Sequence, residues 1–301
     1  MKRALMALAC AATAALVAPA VAAPAQAQTS TQAQAPAADP VAALRKQFVA
    51  GHGVRFVSSG SMSVVGVPAI TFTSNGGYAF GRSGIVASDA TQKTKYSDLL
   101  KDEENLEDLQ GLNDPVRTIV IGKTGYLSGG VYAGLLPEGK TWLRVPGLKP
   151  GSSSTLGFVN PADWQSLKAV LATTKAKGPG GNVNGAKTTL YRGSITLGQL
   201  MKVNPSLNDG LAALGSNPGK TVVSWKLWIG PDQLVRRAST SADLKMKVDK
   251  SSFTFTLSDV TTFAGWGKKV TVKAPPASTV ANLTDLDGEV PDAPGIIDIA
   301  K

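Results

Sequence analysis

Few residues of this chain could act in acid–base, nucleophilic or metal chemistry. His52 is the sole histidine and Cys10 the sole cysteine among 301 residues. A Ser-His-Asp site would depend on His52, in a Gly51-His52-Gly53 loop, but the Gly-x-Ser-x-Gly elbow is absent from the sequence. One histidine and one cysteine do not make up a zinc ligand set. We therefore expect a protein that is not an enzyme, without metal or cofactor, and keep a hydrolase built around His52 as the weakest hypothesis.

The first residues have the pattern of a cleaved export signal. Lys2 and Arg3 precede an apolar stretch, residues 4–17, which is too short to span a bilayer. The small-x-small pattern Ala25-Gln26-Ala27 favours cleavage after Ala27, giving a signal peptide of residues 1–27, and Ala22 is the alternative. Cys10 would then be discarded, and the residues before it form a poor lipidation motif. We expect a secreted or cell-wall-associated protein without a transmembrane helix.

Charge and composition divide the rest of the chain. Residues 28–38 are rich in Ala, Gln and Pro and are predicted to be a disordered linker. Residues 41–281 hold 28 Lys and Arg against 15 Asp and Glu, whereas residues 284–301 form an acidic tail predicted to be disordered. A basic body could bind anionic wall polymer or lipid head groups, or serve solubility alone. No nucleic-acid motif accompanies the charge, so nucleic acid is not an expected partner.

Alternation of apolar and polar residues predicts strands near the end of the chain. Apolar residues alternate with mostly polar ones in two runs, Val223, Trp225, Leu227 and Ile229, and then Phe253, Phe255 and Leu257. Residues 230–232, Gly-Pro-Asp, predict a turn between strands. Together these segments predict an antiparallel meander with a broad apolar face.

Other segments complete one domain over residues 39–283. Strands are predicted at 54–65, 69–73, 116–121, 124–131, 141–145 and 187–197, with a hairpin turn at Asn75-Gly76-Gly77, for about nine to eleven strands in all. Helices are predicted at 41–49, in one or two turns within 200–214, and after Asn160, which would cap a helix that Gly178-Pro179 ends. The acidic stretch 96–109 is predicted to be a solvated helix or a lid-like insertion. The pattern indicates an α+β fold: a strongly curved antiparallel sheet whose concave face is covered by amphipathic helices.

Several landmarks resemble a known family. They are DPVAAL (residues 39–44), GKTWLRV (139–145), the segment after Asn160-Pro161, NGAKTTLYRGSITL (184–197), WKLWIGPDQLVRR (225–237) and WGKKVTVKAPP (266–276). In this order they resemble the actinobacterial LppX/LprA/LprF/LprG type of (lipo)protein, within the LolA-like group of lipid and lipoprotein carriers. The resemblance implies a half-open β-barrel closed by helices, with an apolar cavity that binds acylated lipids or glycolipids. The chain departs from many relatives because it lacks a clear lipidation motif.

A lipid cavity needs apolar walls, since each buried methylene contributes about 0.8 kcal/mol. The candidate wall residues lie on the predicted helix and on the predicted meander; they are Trp164, Leu167, Leu171, Trp225, Leu227, Phe253 and Phe255. The plain alternative is that these residues form a packed core. The sequence thus supports a secreted carrier that shuttles an acylated lipid or glycolipid within the cell envelope. The alternative is an envelope interaction or sensor-accessory protein, with a filled core, that binds anionic wall polymer.

Overall fold

A computed structural model describes residues 39–97, 111–151, 157–205, 207, 218–248 and 251–286. The predicted signal peptide and linker, most of the acidic stretch 96–109 and the tail beyond 286 lie outside these residues. No helix in the described part of the chain is long and apolar enough to cross a membrane.

Twelve strands of the described chain form one open, curved sheet. They are β1 (His52–Val64), β2 (Val67–Gly81), β3 (Gly84–Tyr96), β4 (Val116–Ile121), β5 (Thr124–Gly129), β6 (Trp142–Pro146), β7 (Thr174–Val183), β8 (Ala186–Thr196), β9 (Val222–Ile229), β10 (Val235–Val248), β11 (Ser251–Lys269) and β12 (Val280–Asn282). Their order in the sheet is β12-β6-β5-β4-β3-β2-β1-β11-β10-β9-β8-β7. Every neighbouring pair is antiparallel except β12 and β6. The predicted antiparallel sheet is confirmed, with one strand more than expected.

Three short α-helices have both ends within the described residues: α1 (Pro40–Lys46), α2 (Trp164–Leu171) and α3 (Leu197–Val203). Asp39 caps α1 and Pro40 opens it, as the sequence predicts, although α1 ends before residue 49. Thr196 and Gln199 form a capping box on α3. Each helix contributes buried side chains to the main core, among them Leu44, Leu167 and Leu200.

The start and end predicted for α2 are wrong. Asp163, not Asn160, accepts hydrogen bonds from the first turn, through Gln165 N at 2.7 Å and Ser166 N at 3.4 Å. Asn160 instead holds the turn before the helix, because its Oδ1 accepts from Ala162 N. The helix ends at Leu171, and Gly178-Pro179 lies inside β7. Proline is tolerated there since β7 is an edge strand of the sheet.

The turn predicted at Asn75-Gly76-Gly77 is also wrong, because β2 continues through it. A side chain at Gly76 would place its Cβ 2.3 Å from the Asp89 carbonyl oxygen on β3. These glycines therefore allow a close approach of strands rather than a reversal. The chain reverses on either side of β2, at Val65-Gly66 and at Arg82-Ser83. By contrast, the turn predicted at residues 230–232 is confirmed between β9 and β10.

Candidate ligand-binding face

The main core cluster lies on one face of the sheet, where alternate residues of β1, β2 and β8–β11 point. Trp225 on β9 is its largest fully buried side chain. The indole Nε1 donates to Thr173 Oγ1 at 3.0 Å, and Thr173 donates to the Val170 carbonyl at the end of α2. Gly193 on β8 leaves room for the ring, since a Cβ there would lie 2.5 Å from Trp225 Cζ2. The sheet and α2 are thus joined at Trp225.

The seven side chains predicted to line a cavity fall into three groups. Leu167, Trp225, Leu227 and Phe255 are buried in the main cluster. Trp164 and Leu171 lie at its margin, and the Arg45 guanidinium stacks on Trp164 at 4.0 Å from the ring centroid. Phe253 is 48% exposed. The structure therefore brings four of them together in close packing, and a ligand role for this set stays a prediction.

A band of polar side chains crosses this otherwise apolar face. Cross-strand register places it on five adjacent strands, β3, β2, β1, β11 and β10; its members are Gln92, Ser74, Ser58, Thr261, Asp259 and Thr240. All except Gln92 are buried. We call these six residues the polar band. Sequence reasoning missed the band, although the alternation that puts Phe253 and Phe255 on one face also puts Asp259 there.

Asp259 is the ionisable member of the band. Its carboxylate accepts a hydrogen bond from the Thr240 hydroxyl, and Thr261 Oγ1 lies 3.4 Å from Oδ2 and 2.9 Å from Ser58 Oγ. Gly157 lies directly over it, because a Cβ at 157 would be 2.5 Å from Oδ2. Burial raises the pKa of Asp259 to about 6, against the opposing effect of the threonine hydrogen bonds. A carboxyl group that is proton-sensitive near neutral pH thus sits on the apolar face.

Apolar side chains resume beyond the polar band, towards the β1–β2 and β10–β11 hairpins. One cross-strand row runs over five strands and consists of Ile70, Met62, Leu257, Ala242 and Val223. We call it the apolar row. Its Ala242 and Val223 end is buried, whereas Ile70, Met62 and Leu257 are only half-buried. The apolar face therefore extends beyond the tightly packed core and reaches solvent near the hairpins.

A separate groove of about 220 Å³ lies beside the N-terminal end of α2. Phe48, Ile85, Pro150 and Trp164 supply its apolar wall, and Lys149, Asn160 and Asp163 are among its polar residues. Burial raises the pKa of Asp163, opposed by the hydrogen bonds from Gln165 and Ser166. Of the seven residues predicted from the sequence to line a ligand site, Trp164 lines this groove.

The opposite face of the sheet carries a trough of about 420 Å³ over β7–β10. Three cations line it, Lys175, Arg192 and Lys226, together with the hydroxyls of Ser194, Ser224, Ser239 and Ser241. Arg192 and Lys226 stand directly opposite each other in the register of β8 and β9. Like charges in this position repel each other, so a bound anion would relieve the repulsion.

His52 opens β1 opposite Lys269 and is half-buried. The described residues contain no group of three His, Cys, Asp or Glu side chains that could hold a metal ion. A hydrolase centred on His52 therefore stays an untested hypothesis.

Comparison with known proteins gives distant structural likenesses. Neither a protein-family model nor a curated protein sequence matches the chain. Among solved structures it is similar to a DUF1329 family protein from Desulfovibrio piger, at 14% identity and a TM-score of 0.19 over 75% of this chain and 90% of that one. It is also similar to a LolA superfamily protein from Nitrosomonas europaea, at 5% identity and a TM-score of 0.23 over 75% of this chain and 90% of that one.

A third likeness is to a porin-like protein from Bacteroides uniformis, at 8% identity and a TM-score of 0.23 over 70% of this chain and 96% of that one. At such TM-scores these likenesses carry no argument about function. The LppX/LprG-type family stays a prediction from the sequence.

Proposed function

We infer that this chain is a non-enzymatic carrier that binds an acylated lipid or glycolipid on the apolar face of its sheet. The observation that supports it best is the half-buried end of the apolar row, formed by Ile70, Met62 and Leu257. Apolar side chains of a packed core are normally withdrawn from water, so such a row at the core's margin is typical of a surface that another apolar group covers. A hydrocarbon chain laid along it would gain about 0.8 kcal/mol per buried methylene.

The polar band gives the proposed ligand its orientation. Successive residues on one face of a strand are about 7 Å apart, so Asp259 lies about that far from Leu257 along β11. An amphipathic molecule with its hydrocarbon part on the apolar row would have its polar end at the margin of the polar band, where Gln92 is the member left partly exposed. An acylated lipid or glycolipid has this division, whereas a plain hydrocarbon would leave the band unused.

The site differs from the one chosen on sequence. Leu227 is 1% exposed within the packed cluster, so a tryptophan there would disrupt the core instead of filling a cavity. Met62 is the better position, since it lies in the half-buried end of the row. Thr71 on the neighbouring strand is exposed on the opposite face and provides a matched control.

The experiment is lipid retention. Protein purified without detergent is extracted with organic solvent and analysed by mass spectrometry, and a fluorescent fatty acid is titrated into the lipid-free protein. The carrier retains or takes up lipid in stoichiometric amount, M62W weakens uptake, and T71W does not. A chain that neither retains nor takes up lipid would contradict the proposal. Export through the N-terminal signal and shuttling within the cell envelope belong to the same proposal.

A second function is favoured by the basic trough on the other face. A secreted protein with a filled core could hold anionic wall polymer through Lys175, Arg192 and Lys226, which converge without a carboxylate among the residues that line the trough. Binding of this kind weakens steeply with salt, because exposed charges are screened over about 10 Å at 0.1 M ionic strength. Uptake of lipid is insensitive to salt by comparison, so the two functions are separable.

A further inference from the structure

One hairpin tip and a residue on a neighbouring strand expose apolar side chains at one end of the sheet. Val64, Val65 and Val67 at the β1–β2 tip are 36%, 93% and 51% exposed. Val64 pairs with Phe255 across β1 and β11, so Phe253, two residues further along and 48% exposed, lies beside the same turn. We call these four residues the hairpin tip.

The backbone at Val65 is unfavourable for valine. Val65 has φ 50° and Gly66 has φ 79°, which together form a two-residue turn between the paired residues Val64 and Val67. A β-branched residue at positive φ is a genuine outlier, and Asn or Asp is the usual choice there. The β7–β8 turn has the same backbone and uses Asn184 (φ 51°) before Gly185 (φ 77°). Valine at 65 is therefore an apolar side chain held at an exposed, strained position where the fold does not need one.

We propose that the hairpin tip inserts into the interfacial layer of a lipid bilayer. A protein partner fits it poorly, because four side chains offer roughly a few hundred Å², below the ~800 Å² per partner of specific interfaces. A fluid bilayer accepts a small apolar projection without a matching surface, and shallow insertion leaves the turn's backbone within reach of water. This inference does not depend on the cargo proposed above.

The exposed charges on β3 and β10 near the tip are mostly positive, so an anionic head group would add to the apolar contact. Lys93, Lys95 and Lys245 are exposed on β3 and β10 at this end of the sheet. The exposed Asp243 is nearby on β10 and accepts from Thr256 Oγ1 at 2.7 Å. We therefore expect binding to vesicles of phosphatidylcholine alone, and tighter binding that weakens with salt when an equal part of phosphatidylglycerol is included.

The test compares two matched double variants in vesicle sedimentation. V65T/V67T removes apolar surface at the hairpin tip. V57T/V260T removes it from two exposed valines in the middle of the sheet, on the face opposite the main core cluster. Both keep β-branched residues, so both should fold like the wild type. We expect the tip variant to lose roughly tenfold or more of its partition onto phosphatidylcholine vesicles and the control to stay within about twofold.

Three outcomes would overturn the proposal. The wild type does not bind vesicles, or the two double variants lose binding equally, or the tip instead drives self-association that V65T/V67T abolishes without vesicles present. A fluorophore attached at V65C, in a C10S background, adds a local readout: its emission should shift to the blue with vesicles, while the same label at V57C should not change. These results are distinguishable from loss of cargo, because M62W leaves the tip intact and should still bind vesicles.

Discussion

Val65 and Asn184 occupy the same position of two hairpin turns with the same backbone, φ 50° and 51°, each followed by a glycine at positive φ. Asparagine adopts this conformation readily and valine does not. Asn184 is thus a residue suited to this turn, whereas Val65 places an apolar side chain in it against the backbone preference. That side chain is 93% exposed.

The first prediction concerns the cost of this valine. V65N should raise the free energy of unfolding by about 1 kcal/mol, because it removes backbone strain and exposes no buried surface. The reverse change, N184V, should lower it by a similar amount or more, since Asn184 Nδ2 also lies 3.5 Å from the Phe263 carbonyl. Chemical denaturation checks both. A V65N variant less stable than the wild type would show that Val65 is held by packing rather than strained.

The second prediction concerns pH and Asp259. Burial raises its folded-state pKa to about 6, above an unfolded value near 4. The folded state therefore binds the proton of Asp259 more tightly than the unfolded state does. The resulting contribution to the free energy of unfolding is fully present below pH 4 and is lost as pH rises through 6. The shift corresponds to about 3 kcal/mol. Urea denaturation between pH 4 and 6 should show the free energy of unfolding falling with pH in the wild type and changing less in D259N.

A matched control isolates that carboxyl. Asp243 on the same pair of strands is exposed and accepts from Thr256. D243N should leave the decline between pH 4 and 6 in place. If D259N keeps the wild-type profile, another group is responsible for the dependence.

The third prediction concerns the junction of sheet and helix at Trp225. G193A would place a methyl group 2.5 Å from the indole and 2.3 Å from the Thr173 carbonyl oxygen. The expected loss is about 2 kcal/mol of unfolding free energy. G178A on the adjacent strand provides the control, because a Cβ there meets no atom within 4 Å. Equal stability of the two variants would mean that the indole moves aside freely.

The fourth prediction concerns the basic trough. R192Q removes one of two cations that face each other across β8 and β9, and K187Q removes an exposed lysine elsewhere on β8. If the trough binds anionic polymer, R192Q should reduce both the affinity and its dependence on salt. K187Q, with the same loss of net charge, should change neither by much. Pull-down with cell wall at rising salt is the measurement, and identical behaviour of the variants would place the contact elsewhere.

Much of the sheet could be predicted because alternation is a local property of the sequence. The predicted bounds of β4 match the observed ones, Val116–Ile121, and Gly230-Pro231-Asp232 predicts the turn after β9. The errors arise where glycine or proline serves a contact distant in sequence. Gly76 lies against β3, and Gly178-Pro179 lies in a strand at the edge of the sheet. The residues next to them in the sequence indicate neither arrangement.

The candidate site was less predictable for the same reason. Apolar residues in the packed core and in the apolar row have the same periodicity, so Leu227 and Met62 differ only in what covers them. Asp259 did carry a local signal, because it shares the alternation of Phe253 and Phe255. The rest of the polar band depends on register between β1, β2 and β11, which a single strand does not reveal.

Titration of a fluorescent fatty acid into lipid-free wild type, M62W and T71W tests the central claim most directly. Tryptophan at 62 would occupy the half-buried end of the apolar row, whereas at 71 it would point to solvent on the other face. We predict saturable uptake by the wild type and T71W, and affinity roughly tenfold or more weaker in M62W with thermal stability preserved. Absence of uptake by the wild type, or equal uptake by M62W and T71W, would contradict a ligand bound on this face.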